Sequence, residues 1–244
     1  MIPKKIHYCW FGRNPLPEDA QKCIASWRKF FPDYEIIEWN EDNFDVNSIP
    51  YTAQAYAAKK YAFVSDYARF KILYEHGGLY FDTDVEVIKP FEDILERGGF
   101  MGREMIAQKG GMVNPGIGLG IEKGHPIYRE ILEEYKKFSF LNPDGTTNLK
   151  TVVSYTTEIL ERFGLIASDN VQDIDGINIY PCDYFNPLND LTGKLTITKN
   201  THSIHWFSKT WVNIPNWRIK IGRLSHRLLG YETPRKIRKL FGLK

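Results

Sequence analysis

Cysteine is scarce in this chain: Cys9, Cys23 and Cys182 are its three among 244 residues. An odd number at wide spacing excludes a closed disulfide framework and a Cys-x-x-Cys metal knuckle, and reads instead as buried small side chains. Long apolar runs are missing too. Nothing approaches the roughly 20 residues that cross a bilayer as a helix, and Met1-Ile2-Pro3-Lys4-Lys5 leads straight into a strand-like segment with no signal-peptide hydrophobic region. The expected compartment is the cytoplasm. With no internal repeat, no low-complexity segment and no stretch that reads as a linker, one large α/β domain is favoured over two small ones.

An excess of either charge is also lacking, since 32 Lys and Arg stand against 30 Asp and Glu. That balance hides an asymmetry. Residues 217–244 hold Arg218, Lys220, Arg223, Arg227, Arg235, Lys236, Arg238, Lys239 and Lys244 against the single acid Glu232, so the remainder is acidic. Interleaved Ile219, Ile221, Leu224, Leu228 and Leu229 make this segment amphipathic. We therefore expect a globular domain over 1–216 and a basic amphipathic tail over 217–244. Such a tail suits peripheral contact with an anionic membrane, on its inner face for a cytoplasmic protein, or a terminal helix packed on the domain with a solvated basic face. Nucleic acid is not expected, because no recognition motif accompanies the basic residues.

Residues 5–11 read as a first strand, ended by Gly12 and the Asn14-Pro15-Leu16-Pro17 turn. The spacing of Ile24, Trp27 and Phe31 predicts a helix over 18–31, and 34–39 reads as a second strand. Strand, helix, strand in that order is the signature of a parallel sheet. Helices are expected over 53–62 and 64–76, the latter stopped by Gly77-Gly78, and again over 127–138 and 151–163. Strands are expected over 79–81, 85–88, 99–103 and 116–121. The glycine-rich polar stretch 104–115 suits a mobile active-site loop.

The most informative segment is Gly77-Gly78-Leu79-Tyr80-Phe81-Asp82-Thr83-Asp84. Ligands in α/β sheets sit beyond the carboxyl ends of the strands, so Asp82 and Asp84 are expected in a cleft. Two hard oxygen ligands there suit a divalent cation that bridges a diphosphate. A second Asp-x-Asp triplet, Asp173-Ile174-Asp175, precedes Gly176 and reads as a turn. Asp66 and Arg69 lie three apart on the helix that leads to the glycine pair, so they share a face, with Ser65 beside them. If that face borders the cleft, Arg69 can offer its fork to phosphate or sugar oxygens and Asp66 can accept from sugar hydroxyls; otherwise they are an exposed intrahelical ion pair. Tyr8 and Trp10 share one face of the first strand, where a strand-end indole can stack on a base or serve as core. Finally, Thr201-His202-Ser203-Ile204-His205-Trp206-Phe207-Ser208-Lys209-Thr210-Trp211 crowds histidines, hydroxyls and aromatic rings into one stretch. That density suggests a wall over a carbohydrate or phosphate ligand, where His205, ahead of His202, can complete a metal's ligand set or, as is commoner for a lone histidine, serve the structure.

Taken together, residues 2–12, Ser65-Asp66-Tyr67-Ala68-Arg69 with 74–84, and 205–211 resemble the DXD-containing glycosyltransferases of family 32, and more distantly the catalytic domain of the large glucosylating toxins. The resemblance implies a GT-A fold, a Rossmann-like α/β architecture with a central mixed sheet flanked by helices. It also implies a retaining transfer from a nucleotide sugar with Mn2+ or Mg2+. By that likeness Trp10, on the face it shares with Tyr8, stacks on the base, and Asp66 and Arg69, beside Ser65, hold the donor sugar. Asp82 touches ribose or metal, and Asp84 ligates the metal. His205 matches the first histidine of a C-terminal His-His-Trp-x-x-Ser-Trp-like motif. Here the copy departs: Trp206 stands where a second histidine is usual and Thr210 stands for the serine before Trp211, leaving Thr210 and Trp211 as donors to the leaving phosphate. Asn114, ahead of Pro115-Gly116, corresponds to a sugar-contacting amide. The implied partners are a nucleotide sugar, a UDP-hexose ahead of GDP-mannose, and a glycan or lipid-linked glycan acceptor such as those of capsule or lipopolysaccharide synthesis.

Two rival readings stand beside this one. A haloacid-dehalogenase-like phosphatase also carries an apolar strand followed by Asp-x-Asp, and 165–169 with Asp173 imitates its distal acidic motif. Against it, Asp82 follows a full strand-helix-strand unit, whereas that nucleophile lies on a first strand. The other rival is a catalytically silent sugar-binding protein that keeps the fold.

Overall fold

The computed structural model describes residues 1–104 and 111–208, together with Ile221 and Leu224. Apart from those two, the tail expected over 217–244 lies outside the described residues, as do Thr210 and Trp211. The chain runs β1 (Lys5–Cys9), α1 (Glu18–Phe30), β2 (Glu35–Trp39), α2 (Pro50–Ala57), α3 (Tyr61–His76), β3 (Gly78–Tyr80), β4 (Val85–Val87) and α4 (Glu92–Leu95). It continues through β5 (Gly99–Glu104), β6 (Met112–Ile121), α5 (Pro126–Lys136), α6 (Val152–Arg162), β7 (Gln172–Ile174), β8 (Ile177–Tyr180), α7 (Cys182–Phe185) and β9 (Ser203–His205). No described helix is long and apolar enough to cross a membrane.

Seven strands make one sheet in the order β2-β1-β3-β6-β5-β8-β7. β1 pairs in parallel with β2 and with β3, and β5 in parallel with β8, while the β3–β6, β5–β6 and β7–β8 pairs are antiparallel. The expected mixed α/β sheet is therefore present, and α1 supplies the crossover that parallel β1 and β2 require. Side chains of successive strand residues enter different cores. Leu79 and Phe81 join Ile6, Trp27 and Phe91, whereas Tyr80 joins Cys9, Val64 and Leu119. With apolar packing on both faces, the central strands bury nearly every residue and lack polar alternation.

Helix α3 packs on α2, α5, β1, β3 and β6. Enclosed in this way it buries residues all round, among them Val64, Ala68, Phe70, Ile72 and Leu73, and it buries Asp66 and Arg69 along with them. It stops at Gly77 (φ 65°), followed by Gly78 (φ 105°), a pair of left-handed conformations that side chains resist. Space forbids a side chain as well, because a Cβ on Gly77 would lie 2.8 Å from the Lys123 nitrogen. This tight reversal throws the chain directly into β3, so Asp82 emerges just past a central strand.

Several expectations need correction. The helix over 53–62 is two helices, parted at 58–60 where Lys59 takes a left-handed φ of 56°. The first strand ends at Cys9, short of Phe11. The stretch 104–115 is not one loop, since Glu104 closes β5 and Met112 opens β6, with 105–110 outside the described residues. The strand over 85–88 leaves the main sheet to pair antiparallel with β9. Cys182 is half-buried, unlike Cys9 and Cys23. Asp173-Ile174-Asp175 does end in a turn, Asp175-Gly176, both with positive φ, which joins β7 to β8.

Candidate active site

The site is built past the end of β3. The Asp82 backbone N–H donates to the Gly116 carbonyl of β6 at 3.0 Å, which lays the aspartate over its neighbouring strand. Glycine at 116 lets the carboxylate lie where it does, because a Cβ there would stand 2.1 Å from Asp82 Oδ2 and displace it. Asp82 Oδ1 accepts from the Tyr80 hydroxyl at 2.9 Å and lies 3.3 Å from Arg69 Nη2. The same guanidinium nitrogen lies 2.9 Å from Asp66 Oδ1. Arg69 also donates from Nε to the Ser65 carbonyl and rests over the Tyr80 ring.

The alternative of an exposed Asp66–Arg69 pair is therefore excluded, since the two side chains keep 13 % and 4 % of their surface. Burial of a carboxylate raises its pKa unless charges compensate. Burial, with the Asp82 charge added, lifts Asp66 to about 7 despite Arg69. Burial likewise raises Asp82. Arg69 goes up as well, because the charges of Asp82, Tyr80 and Asp66 outweigh its desolvation.

Asp84 is held by the far end of the chain. Pairing of β4 with β9 sets Val85 opposite His205, and the strand end carries its next residues around Asp84. His205 Nε2 lies 3.2 Å from Asp84 Oδ1, the Ser208 N–H donates to Oδ2 at 2.8 Å, and the Trp206 N–H donates to the Asp84 carbonyl at 3.0 Å. Burial pushes the Asp84 pKa up, yet the His205 charge and these hydrogen bonds overcome it and hold the carboxyl low. His205 moves the other way: its desolvation is outweighed by Asp84, Asp82 and Glu104, which favour the imidazolium. Its Nδ1 is buried without a partner. Among the described residues, Asp82, Asp84 and His205 form a group whose ligand atoms lie within 4.8 Å of one another.

The remaining candidates divide. Tyr8 belongs to the core, packed edge-on to Trp27 with its hydroxyl donating to Glu38 at 2.7 Å. Trp10 lies just past β1, half-buried, its indole N–H donating to the Asn14 carbonyl. The Ser65 hydroxyl donates to the Tyr61 carbonyl within α3. Asn114 is buried on β6 and reaches the site through Gly116, whose N–H it accepts at 2.7 Å. His202 lies elsewhere, between Asp93 and the Asn200 carbonyl. Trp206, in place of the usual second histidine, donates its indole N–H to Glu86. Sequence reasoning missed Tyr80, Gly116 and Glu104, which accepts from Asn114 Nδ2 at 2.8 Å. Tyr80 was within reach, because a residue two before Asp82 on a strand faces the same way; the other two depend on β5–β6 register.

The phosphatase pattern fails on topology. Asp173 sits on edge strand β7, four strands from β3 in the sheet, so it cannot join Asp82.

A mixed sheet with paired aspartates beyond a central strand, and a histidine returned to them by a second small sheet, is the GT-A architecture of sugar transferases. The structure aligns with the PaToxG glycosyltransferase at a TM-score of 0.51 and 22% identity, over 66% of this chain and 69% of that one. Residues 17–100, which include Asp66, Arg69, Asp82 and Asp84, match the family described as "Glycosyltransferase sugar-binding region containing DXD motif". Over residues 17–100 the chain is thus similar to these DXD-containing glycosyltransferases.

Among curated relatives, inositol phosphoceramide mannosyltransferase 3 of Schizosaccharomyces pombe is 29% identical over 143 residues, 57% of this chain and 38% of that protein. The uncharacterized glycosyltransferase L373 of Acanthamoeba polyphaga mimivirus is 27% identical over 198 residues, 78% of this chain and 77% of that one. The initiation-specific alpha-1,6-mannosyltransferase of Candida albicans is 21% identical over 244 residues, 91% of this chain and 60% of that one. The chain thus spans well under half of the S. pombe protein it matches.

Proposed function

We propose that this chain transfers a hexosyl unit from a nucleoside diphosphate sugar to an acceptor hydroxyl, with a divalent cation held by Asp82, Asp84 and His205. The convergence of these three side chains within 4.8 Å carries the reading. The set fits a dication: two carboxylates supply hard oxygens, and His205 brings an imidazole whose Nδ1 is buried without a partner. The added imidazole favours Mn2+ over Mg2+. When bound, such a cation neutralises charge developing on the departing diphosphate.

The chain's own residues do the positioning. Arg69 and Tyr80 both engage Asp82 Oδ1, and Oδ2 lies against Gly116. His205 and the Ser208 amide fix Asp84. Asp66, on the far side of Arg69, holds the guanidinium in place and keeps a small exposed edge for sugar hydroxyls. Trp10, half-buried past β1, offers its ring to the base. Retention by same-side attack remains part of the reading, with the leaving phosphate taking the acceptor's proton. Its support is that Asp66, Asp82, Asp84 and Glu104 are each already engaged by Arg69, Tyr80, His205 or Asn114.

The relatives' names weigh on the donor. The S. pombe and C. albicans proteins are mannosyltransferases by name, which favours a mannosyl nucleotide over the UDP-hexose expected from sequence. A glycan or lipid-linked acceptor of cell-surface polysaccharide synthesis is the acceptor class we propose. The test is nucleotide release from GDP-mannose, UDP-glucose and UDP-galactose with Mn2+, then with EDTA, for the parent, Asp84→Asn and His205→Ala. Release from one donor that vanishes with EDTA and falls in both variants supports the proposal. Release indifferent to all three sinks it.

A further inference from the structure

We propose that Glu104 is a positioning residue for Asp82, acting through Asn114 and Gly116. The inference rests on the metal reading given above. A shift in the β5–β6 pairing between Met101 and Gly102 brings Gly102 opposite Asn114 and Glu104 opposite Met112, and such an irregularity re-aims the side chains beyond it. Glu104 Oε2 then takes a hydrogen bond from Asn114 Nδ2 at 2.8 Å. A carboxylate can only accept, so it fixes which way the amide lies and turns Oδ1 of Asn114 toward the Gly116 N–H, 2.7 Å away. The opposite amide orientation would set a carbonyl oxygen against the carboxylate and an NH2 against the Gly116 N–H.

Gly116 passes the constraint on. Its carbonyl accepts from the Asp82 N–H at 3.0 Å, and a Cβ added to it would stand 2.1 Å from Asp82 Oδ2 and displace that oxygen. Three hydrogen bonds thus link the Glu104 carboxylate to the Asp82 backbone. Neither Glu104 nor Asn114 need touch the cation or the donor for this. Outer partners of ligating groups set ligand orientation, and their loss commonly weakens a metal about 10- to 100-fold.

The experiment measures Mn2+ alone, by loss of the free-ion electron paramagnetic resonance signal, beside thermal unfolding. Glu104→Gln and Glu104→Ala remove the same charge, but glutamine keeps an oxygen for Asn114. The relay requires Glu104→Gln to stay within about fivefold of the parent and Glu104→Ala to lose about 10- to 100-fold. Asn114→Ala should match Glu104→Ala, and the two together should be no worse than either, since both break one chain of contacts. A swapped pair, Glu104→Gln with Asn114→Asp, keeps total charge and restores the hydrogen bond in reverse, so it should bind like the parent even if the alanine variants fold poorly. Equal losses in Glu104→Gln and Glu104→Ala, additive alanine effects, or failure of the swapped pair would overturn the relay and leave the metal reading standing. A parent that takes up no Mn2+ would remove both.

Discussion

The hydroxyl of Tyr80 donates to Asp82 Oδ1 across 2.9 Å, from a ring that is itself almost fully buried. Asp82 follows two residues after Tyr80, the last residue of β3, so the donor is delivered by the same stretch of backbone that delivers the carboxylate. Tyr80→Phe removes that donor and nothing else of the ring. A hydrogen bond to a charged group contributes about 1.5–3 kcal/mol. We expect a fall of that order in unfolding free energy, read by urea titration, and a higher Mn2+ concentration for half-maximal sugar transfer. Unchanged values on both would mean that Arg69 alone orients Asp82.

Gly116→Ala tests the close approach beneath the same carboxylate. The methyl would stand 2.1 Å from Asp82 Oδ2, so the aspartate must turn away. A misplacement near 1 Å at a reacting centre can cost about 100-fold in rate. Transfer should drop by about that factor, while circular dichroism stays that of the parent.

Arg69 separates stability from activity. Its guanidinium lies between two carboxylates with little access to water, and removing one partner of a buried pair costs about 3–5 kcal/mol. Arg69→Met should therefore destabilise by that amount. Adding Asp66→Leu relieves one stranded carboxylate and should restore part of the stability but none of the transfer. Arg69→Lys should not rescue activity either, because a point charge cannot serve Asp66, Asp82 and the Ser65 carbonyl at once.

His7 provides the pH test. Its Nε2–H donates to the Gly77 carbonyl and its Nδ1 accepts from the Trp39 indole, an arrangement that requires the neutral ring. Burial, opposed only in part by the Gly77 bond, lowers its pKa from 6.5 to about 4. In that interval the unfolded chain binds the proton and the folded chain does not, so the stability this residue contributes is complete above pH 6.5 and lost as pH falls toward 4. The gap amounts to about 3 kcal/mol. The difference in unfolding free energy between the parent and His7→Gln should shrink by that order from pH 7 to pH 4. A difference that is flat with pH would contradict the neutral-ring assignment.

How much of this was legible depended on the range of the interaction. Gly77-Gly78 announced both the end of α3 and the position of Asp82, because glycine conformational freedom and helix termination are local matters. The Asp66–Arg69 pair was legible as a shared helix face, yet its burial was not, since that follows from five other elements closing around α3. His205 was one candidate among the crowded side chains of 201–211, and likeness to other chains singled it out further; spacing within this sequence says nothing of the β4–β9 pairing that brings it to Asp84. Glu104 was invisible for the same reason, as its partner depends on a register shift in the β5–β6 hairpin. The stretch 104–115 misled at its described ends, because Glu104 and residues 112–115 look like parts of a loop while Glu104 closes β5, 112–115 belong to β6, and the Glu104 and Asn114 side chains bond each other.

Asp84 and the Ser208 amide that steadies it stand 124 positions apart in the chain. A ribosome making this protein has finished every strand of the main sheet before β9 appears. Until then the nascent polypeptide has both aspartates but lacks His205 and Ser208, which hold Asp84. Premature release products ending ahead of Ser203 should therefore be unable to consume activated sugar, however well their larger sheet has formed.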